Sequence, residues 1–131
     1  MKKAIALLLA LVMVFALCAC GGGDKGTADN GEKVVKIGVV EPASGDSGAG
    51  GKKEMLGMRY ANQETPTVEI GGETYKVELV YSDNGSDSAK AVSAASKLVN
   101  EKVSIVLGSY GSGVSIAASD TFKQAGIPAI G

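Results

Sequence analysis

From residue 34 onward, apolar and polar positions alternate between two periods, and that alternation lays out the elements. Residues 34–40, VVKIGVV, form a β-branched run of strand length, apolar enough to be buried on both faces of a sheet. Residues 41–51, EPASGDSGAGG, are rich in turn formers and end the run. Residues 52–63 are helix formers, with Met55, Leu56, Met58 and Tyr60 offering a short apolar side and Gly57 working against it. Residues 68–83 predict a small hairpin through Gly71-Gly72 into a longer strand. There Tyr75, Val77, Leu79 and Tyr81 alternate with Lys76, Glu78 and Ser82, a pattern that predicts an edge strand. Residues 86–101 are the clearest helix, with Asp87 or Ser86 as N-cap and a stripe of Ala91, Val92, Ala95, Leu98 and Val99. Residues 103–107, VSIVL, predict a third buried strand. Residues 112–126 predict a helix with Val114, Ala118, Phe122 and Ala125 on one face; Gly126 stands where a left-handed cap belongs, and Pro128 follows. Residues 127–131 open a fourth strand.

Strands alternating with helices predict an α/β fold built on a parallel, doubly wound sheet. Right-handed crossovers leave few arrangements. The most economical has the strand order 2-1-3-4, with the amphipathic second strand at one edge and the buried first and third strands at the centre. Direction then reverses between the first and third strands, and open α/β sheets bind ligands outside the carboxyl ends of their strands at such a switch point. Two loops meet there, 41–51 and 108–113.

Ahead of this body the pattern is of another kind. Residues 1–19 carry two lysines and then an apolar stretch running from Ala4 to Leu17, with small residues before Cys20. That is the layout of an export signal peptide, and its apolar stretch is shorter than the roughly 20 residues of a spanning helix. The LCAC at its end resembles a bacterial lipobox, with Cys18 at a place usually given to a small residue, and predicts lipidation at Cys20 and a membrane anchor. Cleavage there leaves Cys20 as the sole cysteine, so no intramolecular disulfide is available. Residues 20–33 are glycine-rich and polar and read as a flexible tether.

Composition narrows the chemistry. Without the leader the chain keeps 11 Lys and Arg against 14 Asp and Glu, and no basic patch suggests nucleic acid. There is no histidine, which removes the commonest general base and metal ligand. The glycine loop imitates three catalytic or nucleotide motifs and fails each. A P-loop would need glycine at Asp46 and Ser or Thr at Lys53; a dinucleotide fingerprint from Gly48 would need glycine at Lys53. GDSG at 45–48 lacks the histidine a serine protease uses. No enzyme, cofactor or metal site is expected. Asp83 and Asn84 read as a turn and helix-entry signal. The loop 108–113, GSYGSG, has a more specific meaning. Its glycines open the backbone N–H groups, and Ser112 begins a helix whose N-terminus favours a carboxylate; the competing reading makes Ser112 merely the N-cap.

Taken in order, the lipobox, the glycine spacer, VKIGVVEPASG, YKVELVYSDNGSDSAKAVSAASKLVNEKV, IVLGSYGSG and AASDTFKQAGIPAIG resemble solute-binding proteins of branched-chain amino-acid-type ABC transporters. The resemblance covers nearly all of residues 34–131 and implies the type I periplasmic-binding-protein fold, two α/β lobes that close on a ligand. The chain would supply an incomplete N-terminal lobe, 34–131. It implies capture of an amino-acid-like solute outside the cytoplasm and delivery to a permease; the alternative is the ligand-sensing domain of a receptor with the same fold. By this resemblance Ser112 and Gly113, preceded by Tyr110 and Gly111, meet the ligand's amino-acid backbone, and Ser44 and Gly45 form the matching pair after the first strand. An aromatic residue that some members carry later in the first loop aligns near Gly50 and is missing here.

Overall fold

A computed structural model describes residues 31–131. The expectations for the export signal, for Cys20 and for most of the tether lie outside the described residues. The elements run β1 (Val34–Val39), α1 (Gly48–Glu64), β2 (Thr67–Ile70), β3 (Glu73–Tyr81), α2 (Ser88–Asn100), β4 (Ile105–Leu107), α3 (Ser112–Ala125) and β5 (Ala129–Ile130).

The strands make one sheet in the order β2-β3-β1-β4-β5. β1 is central, and its Ile37 pairs with Leu79 of β3 on one side and with Ile105 of β4 on the other, both in parallel. β5 continues in parallel on β4. The predicted order of the four parallel strands therefore stands, with one correction. β3 is not the edge. Gly71 and Gly72 both adopt positive φ, 61° and 82°, the backbone that a two-residue hairpin turn requires. That turn lays β2 antiparallel along the outer side of β3, so the edge passes to a four-residue strand that is exposed throughout.

The core lies on one face, between the sheet and the helices α2 and α3. Val40 and Val106 from the sheet side meet Ala91, Ala95 and Leu98 of α2 and Phe122 of α3. Gly38 in β1 makes room: a Cβ there would lie 3.1 Å from Leu98 Cδ1 and 3.1 Å from Val106 Cγ2. The α2 stripe is rotated slightly from the expected one, because Ala94 is buried and Val92 is exposed. Small side chains at 91, 94 and 95 let the helix sit close to the strands, and the β-branched Val92 falls outside the contact. In α3, Val114, Ala118 and Phe122 are buried as expected, while Ala125 is exposed.

Among the described residues the opposite face carries α1 alone. Met55 is buried and Met58 half-buried, but Leu56 and Tyr60 are each 62% exposed, so only part of the expected apolar side is used. Beside α1 an apolar groove of about 430 Å3 stays open over Val35, Ile37, Val77 and Leu79. The helix also begins four residues earlier than its composition suggests. Gly48, Gly50 and Gly51 are poor helix formers, yet a Cβ on Gly51 would lie 2.7 Å from both Pro42 Cγ and Pro42 Cδ. The first turn of α1 is packed so tightly on the end of β1 that only glycine fits, and tertiary contact overrides propensity.

Helix ends follow local rules. Asp87, rather than Ser86, caps α2, its carboxylate accepting from the Lys90 N–H at 2.8 Å. Gly126 takes the left-handed conformation at the end of α3, φ 69°.

Candidate functional site

Three connections meet at the carboxyl ends of the parallel strands: 40–47 after β1, 82–87 after β3 and 108–111 after β4. The switch point lies at β1, from which the sheet grows both ways.

The first two connections are laced together by Asp83. One carboxylate oxygen accepts from the N–H groups of Ala43 (2.8 Å), Ser44 (3.3 Å) and Gly85 (2.8 Å); the other accepts from the Ser44 hydroxyl at 2.7 Å. Desolvation alone would raise this carboxyl, but the hydrogen bonds from Ser44, Gly85 and Ala43 outweigh it and hold it below the ordinary aspartate value. Asn84 beside it is fully buried; its amide donates to the Val40 carbonyl at 3.1 Å, and its side-chain oxygen accepts from the Ser86 N–H at 2.9 Å. The expected turn and helix entry is present, since the Asn84 carbonyl accepts from the Asp87 N–H. The pair also does more than close a turn, tying β1 to β3 across about forty residues of sequence.

Ser44 and Gly45 thus stand in the site's wall with their own groups committed. The Ser44 hydroxyl proton goes to Asp83. Gly45, at φ 76°, lies against the Gly85 backbone.

The third connection presents its backbone. Gly111, with φ 109°, is the N-cap of α3 and makes no side-chain cap bond; its carbonyl accepts from the N–H groups of Val114 and Ser115. Ser112 is therefore not the cap but the first helical residue. The N–H groups of Ser112 and Gly113 make no hydrogen bond among the described residues, and both residues are exposed. These are two of the unpartnered donors every helix start carries, set here at the positive end of the α3 dipole. An open cavity of about 420 Å3 adjoins them, lined by Ser109, Ser112 and Ser115 on its polar side and by Val40, Ala118 and Phe122 on its apolar side. Tyr110 is half-exposed and its ring lies over Gly50, where a Cβ would come within 2.9 Å of the ring carbons. The space over Gly50 thus holds the aromatic ring of the third connection.

Sequence reasoning passed over Glu41. It follows an apolar strand directly and precedes a proline, which reads as the start of a loop; in the fold it is 1% exposed. Its Oε2 accepts from the Tyr110 N–H at 2.8 Å, and its Oε1 is buried without a partner. Burial pushes its carboxyl up to about 7, the Tyr110 N–H works against that, and the neighbouring Glu54 carboxyl adds to it. Among the described residues no three His, Cys, Asp or Glu side chains converge to hold a metal ion.

The profile of a family described as periplasmic binding protein matches residues 34–131. A Leu/Ile/Val-binding protein homolog 2 from Brucella abortus is 33% identical over 116 residues, covering 88% of this chain and 29% of the relative. A branched-chain amino acid transporter substrate binding protein from Streptococcus pneumoniae, solved in complex with isoleucine, has a TM-score of 0.65 and 34% identity, covering 74% of this chain and 28% of that one. An ABC transporter solute binding protein from R. palustris, solved in complex with benzoate, has a TM-score of 0.63 and 27% identity, covering 73% and 26%. The chain spans less than a third of the length of each of these proteins.

Proposed function

The chain belongs to the periplasmic binding protein family, and from that premise we propose that it forms the N-terminal part, 34–131, of a receptor that captures a small carboxylate-bearing solute outside the cytoplasm and passes it to an ABC transporter permease. An amino acid of the branched-chain type is the first candidate. The protein acts as a binding protein and not as an enzyme. The observation that carries this reading is the pair of open N–H groups at Ser112 and Gly113, aimed from a helix N-terminus at the switch point of the sheet. Isoleucine and benzoate, named with two of the similar structures, differ in their side groups and share a carboxylate, which is the group such a terminus favours. Tyr110, Gly111, Ser112 and Gly113 meet the solute. Ser44 and Gly45 shape the facing wall.

The test is Ser112→Ala in the full-length protein, with L-leucine titrated by calorimetry. Among the described residues the Ser112 hydroxyl makes no hydrogen bond, and Gly111 rather than Ser112 caps α3, so the melting temperature should stay put. A hydrogen bond to a charged partner is worth about 1.5–3 kcal/mol, so affinity should fall by about ten- to a hundredfold. Unchanged affinity would remove Ser112 from the site.

The leader belongs to the same reading. Lipid on Cys20 would tether the receptor at the membrane surface, with 20–33 as spacer. Cys20→Ser should move the protein out of the membrane fraction and abolish the lipid mass increment. Retention in the membrane with an unmodified Cys20 would contradict the anchor.

A further inference from the structure

Glu41 takes no part in the site as described, yet it sits beneath it. Its side chain reaches from the end of β1 under the loop that carries Tyr110, and every surface around it is protein. Oε2 holds the Tyr110 N–H at 2.8 Å. Oε1 faces Gly108, whose φ is 103°, and a Cβ at that position would lie 2.9 Å from the carboxyl carbon Cδ and 2.9 Å from the Val40 carbonyl oxygen. The loop after β4 is therefore seated on this carboxyl group with no space between. Among the described residues Oε1 nevertheless has no donor, and the side chain within hydrogen-bonding reach of this carboxyl is Glu54, another acid, which can only share a proton with it.

α1 brings Glu54, an acid of the same sign. The connection after β3 brings Asp83 and Asp87, and both are engaged elsewhere, Asp83 with Ala43, Ser44 and Gly85, and Asp87 with the Lys90 N–H. The 108–113 loop carries no charged residue. Lys52 and Lys53 also stand on α1 and Lys90 on α2, but among the described residues none of them pairs with Glu41.

We propose that Glu41 is a positioning residue for the solute loop and that it does so as the neutral acid, so that release of its proton to solvent loosens the seat of residues 108–111 and weakens solute binding. This rests on the solute reading given above. The chemistry is direct. A buried carboxylate oxygen without a partner is costly, whereas a neutral carboxyl is far less so. The carboxyl is pushed up to about 7 by burial, with Glu54 adding to it, so the change of state falls near neutrality. A solute carboxylate arriving at the start of α3 adds a second like charge and raises it further. Binding therefore takes up a proton, and affinity is greatest on the acid side. Each unit by which the solute raises this pKa corresponds to about a tenfold change in affinity across the window.

The experiment uses the full-length protein and L-leucine, titrated from about pH 5.5 to about pH 8.5, a range that brackets the transition. Wild-type affinity should fall by about tenfold over that range. Glu41→Gln keeps the shape and the Oε2-equivalent acceptor but cannot ionise, so its affinity should stay level with pH and within about threefold of the acid-side wild type. A Glu41→Gln protein with the wild-type pH dependence, or a wild type with none, would overturn the proposal. A second readout does not need the solute: the carboxyl carbon of Glu41, followed by NMR in the unliganded protein, should titrate near 7 and not near the ordinary 4.5. A transition at the ordinary value overturns the proposal even if leucine binds. If leucine fails to bind at every pH while Glu41 titrates near 7, the solute reading fails and the neutral buried acid stands.

Discussion

Gly45→Ala should cost about 2–5 kcal/mol of stability and distort the wall of the site. Two effects add. Gly45 has φ 76°, and a side chain in the left-handed region costs about 1–2 kcal/mol. In addition, the new Cβ would lie 2.9 Å from the Gly85 carbonyl carbon and 3.0 Å from Ser86 Cβ. Neither neighbour can give way cheaply, because Gly85 donates to Asp83 and Ser86 donates to the buried Asn84; overpacking of this kind costs about 1–3 kcal/mol. Gly126→Ala separates the two effects. Gly126 has a similar φ, 69°, and open space where its Cβ would go, so it should show the backbone penalty alone. Denaturant midpoints of the two variants provide the check. Equal losses would mean that the close approach of the two loops contributes nothing.

Leu98→Ala should cost about 3–5 kcal/mol, the range for emptying a fully enclosed leucine site. Leu98 is 0% exposed and its Cδ1 fills the space above Gly38. The β1 backbone cannot move into the gap, since both of its edges are paired, to β3 and to β4, so a cavity remains. Val92→Ala is the contrast. It belonged to the same expected stripe but is 44% exposed, and a substitution there should stay within about 0.5 kcal/mol. Against a total stability of about 5–15 kcal/mol for a domain of this kind, the first change threatens folding and the second does not. Comparable losses at both positions would show that α2 is rotated from the orientation described.

Both experiments bear on how far a reader of the sequence could have gone. The face of α2 was legible to within one position. Ala91, Ala95 and Leu98 were expected inward and are buried, whereas Val92 was expected inward and is exposed, with Ala94 in its place. Hydropathy favours valine over alanine; closeness of approach to the sheet favours alanine, and that closeness is not written in the helix itself. The site shows the same division. Tyr110, Gly111, Ser112 and Gly113 were marked by their glycine and hydroxyl content at the end of an apolar run, and the fold brings them beside the connection after β1. Glu41 carried no such mark, because an acid before a proline at a strand end resembles any exposed loop residue.

What the sequence determined by itself rests on local physics. Periods of two and of three to four placed the strands and helices. Right-handed crossovers then set the order of the four parallel strands. Paired glycines at 71 and 72 supplied the positive φ of a hairpin, Asp87 a cap, and Gly126 a left-handed stop. Each is decided by a residue and neighbours a few positions away. The tertiary structure decided the rest, some of it through packing of near neighbours and some through contacts across about forty to seventy residues. Pairing of β2 on β3 moved the edge outward. Pro42 forced glycine into the first turn of α1. Asp83 turned from a loop residue into the tie between two connections, and Gly111 took the cap of α3 in place of Ser112. Burial of Glu41 under the Tyr110 loop pushed an ordinary carboxyl up to about 7. A side chain's charge and partners depend on what the fold packs around it, and that environment is assembled from segments that no local window contains.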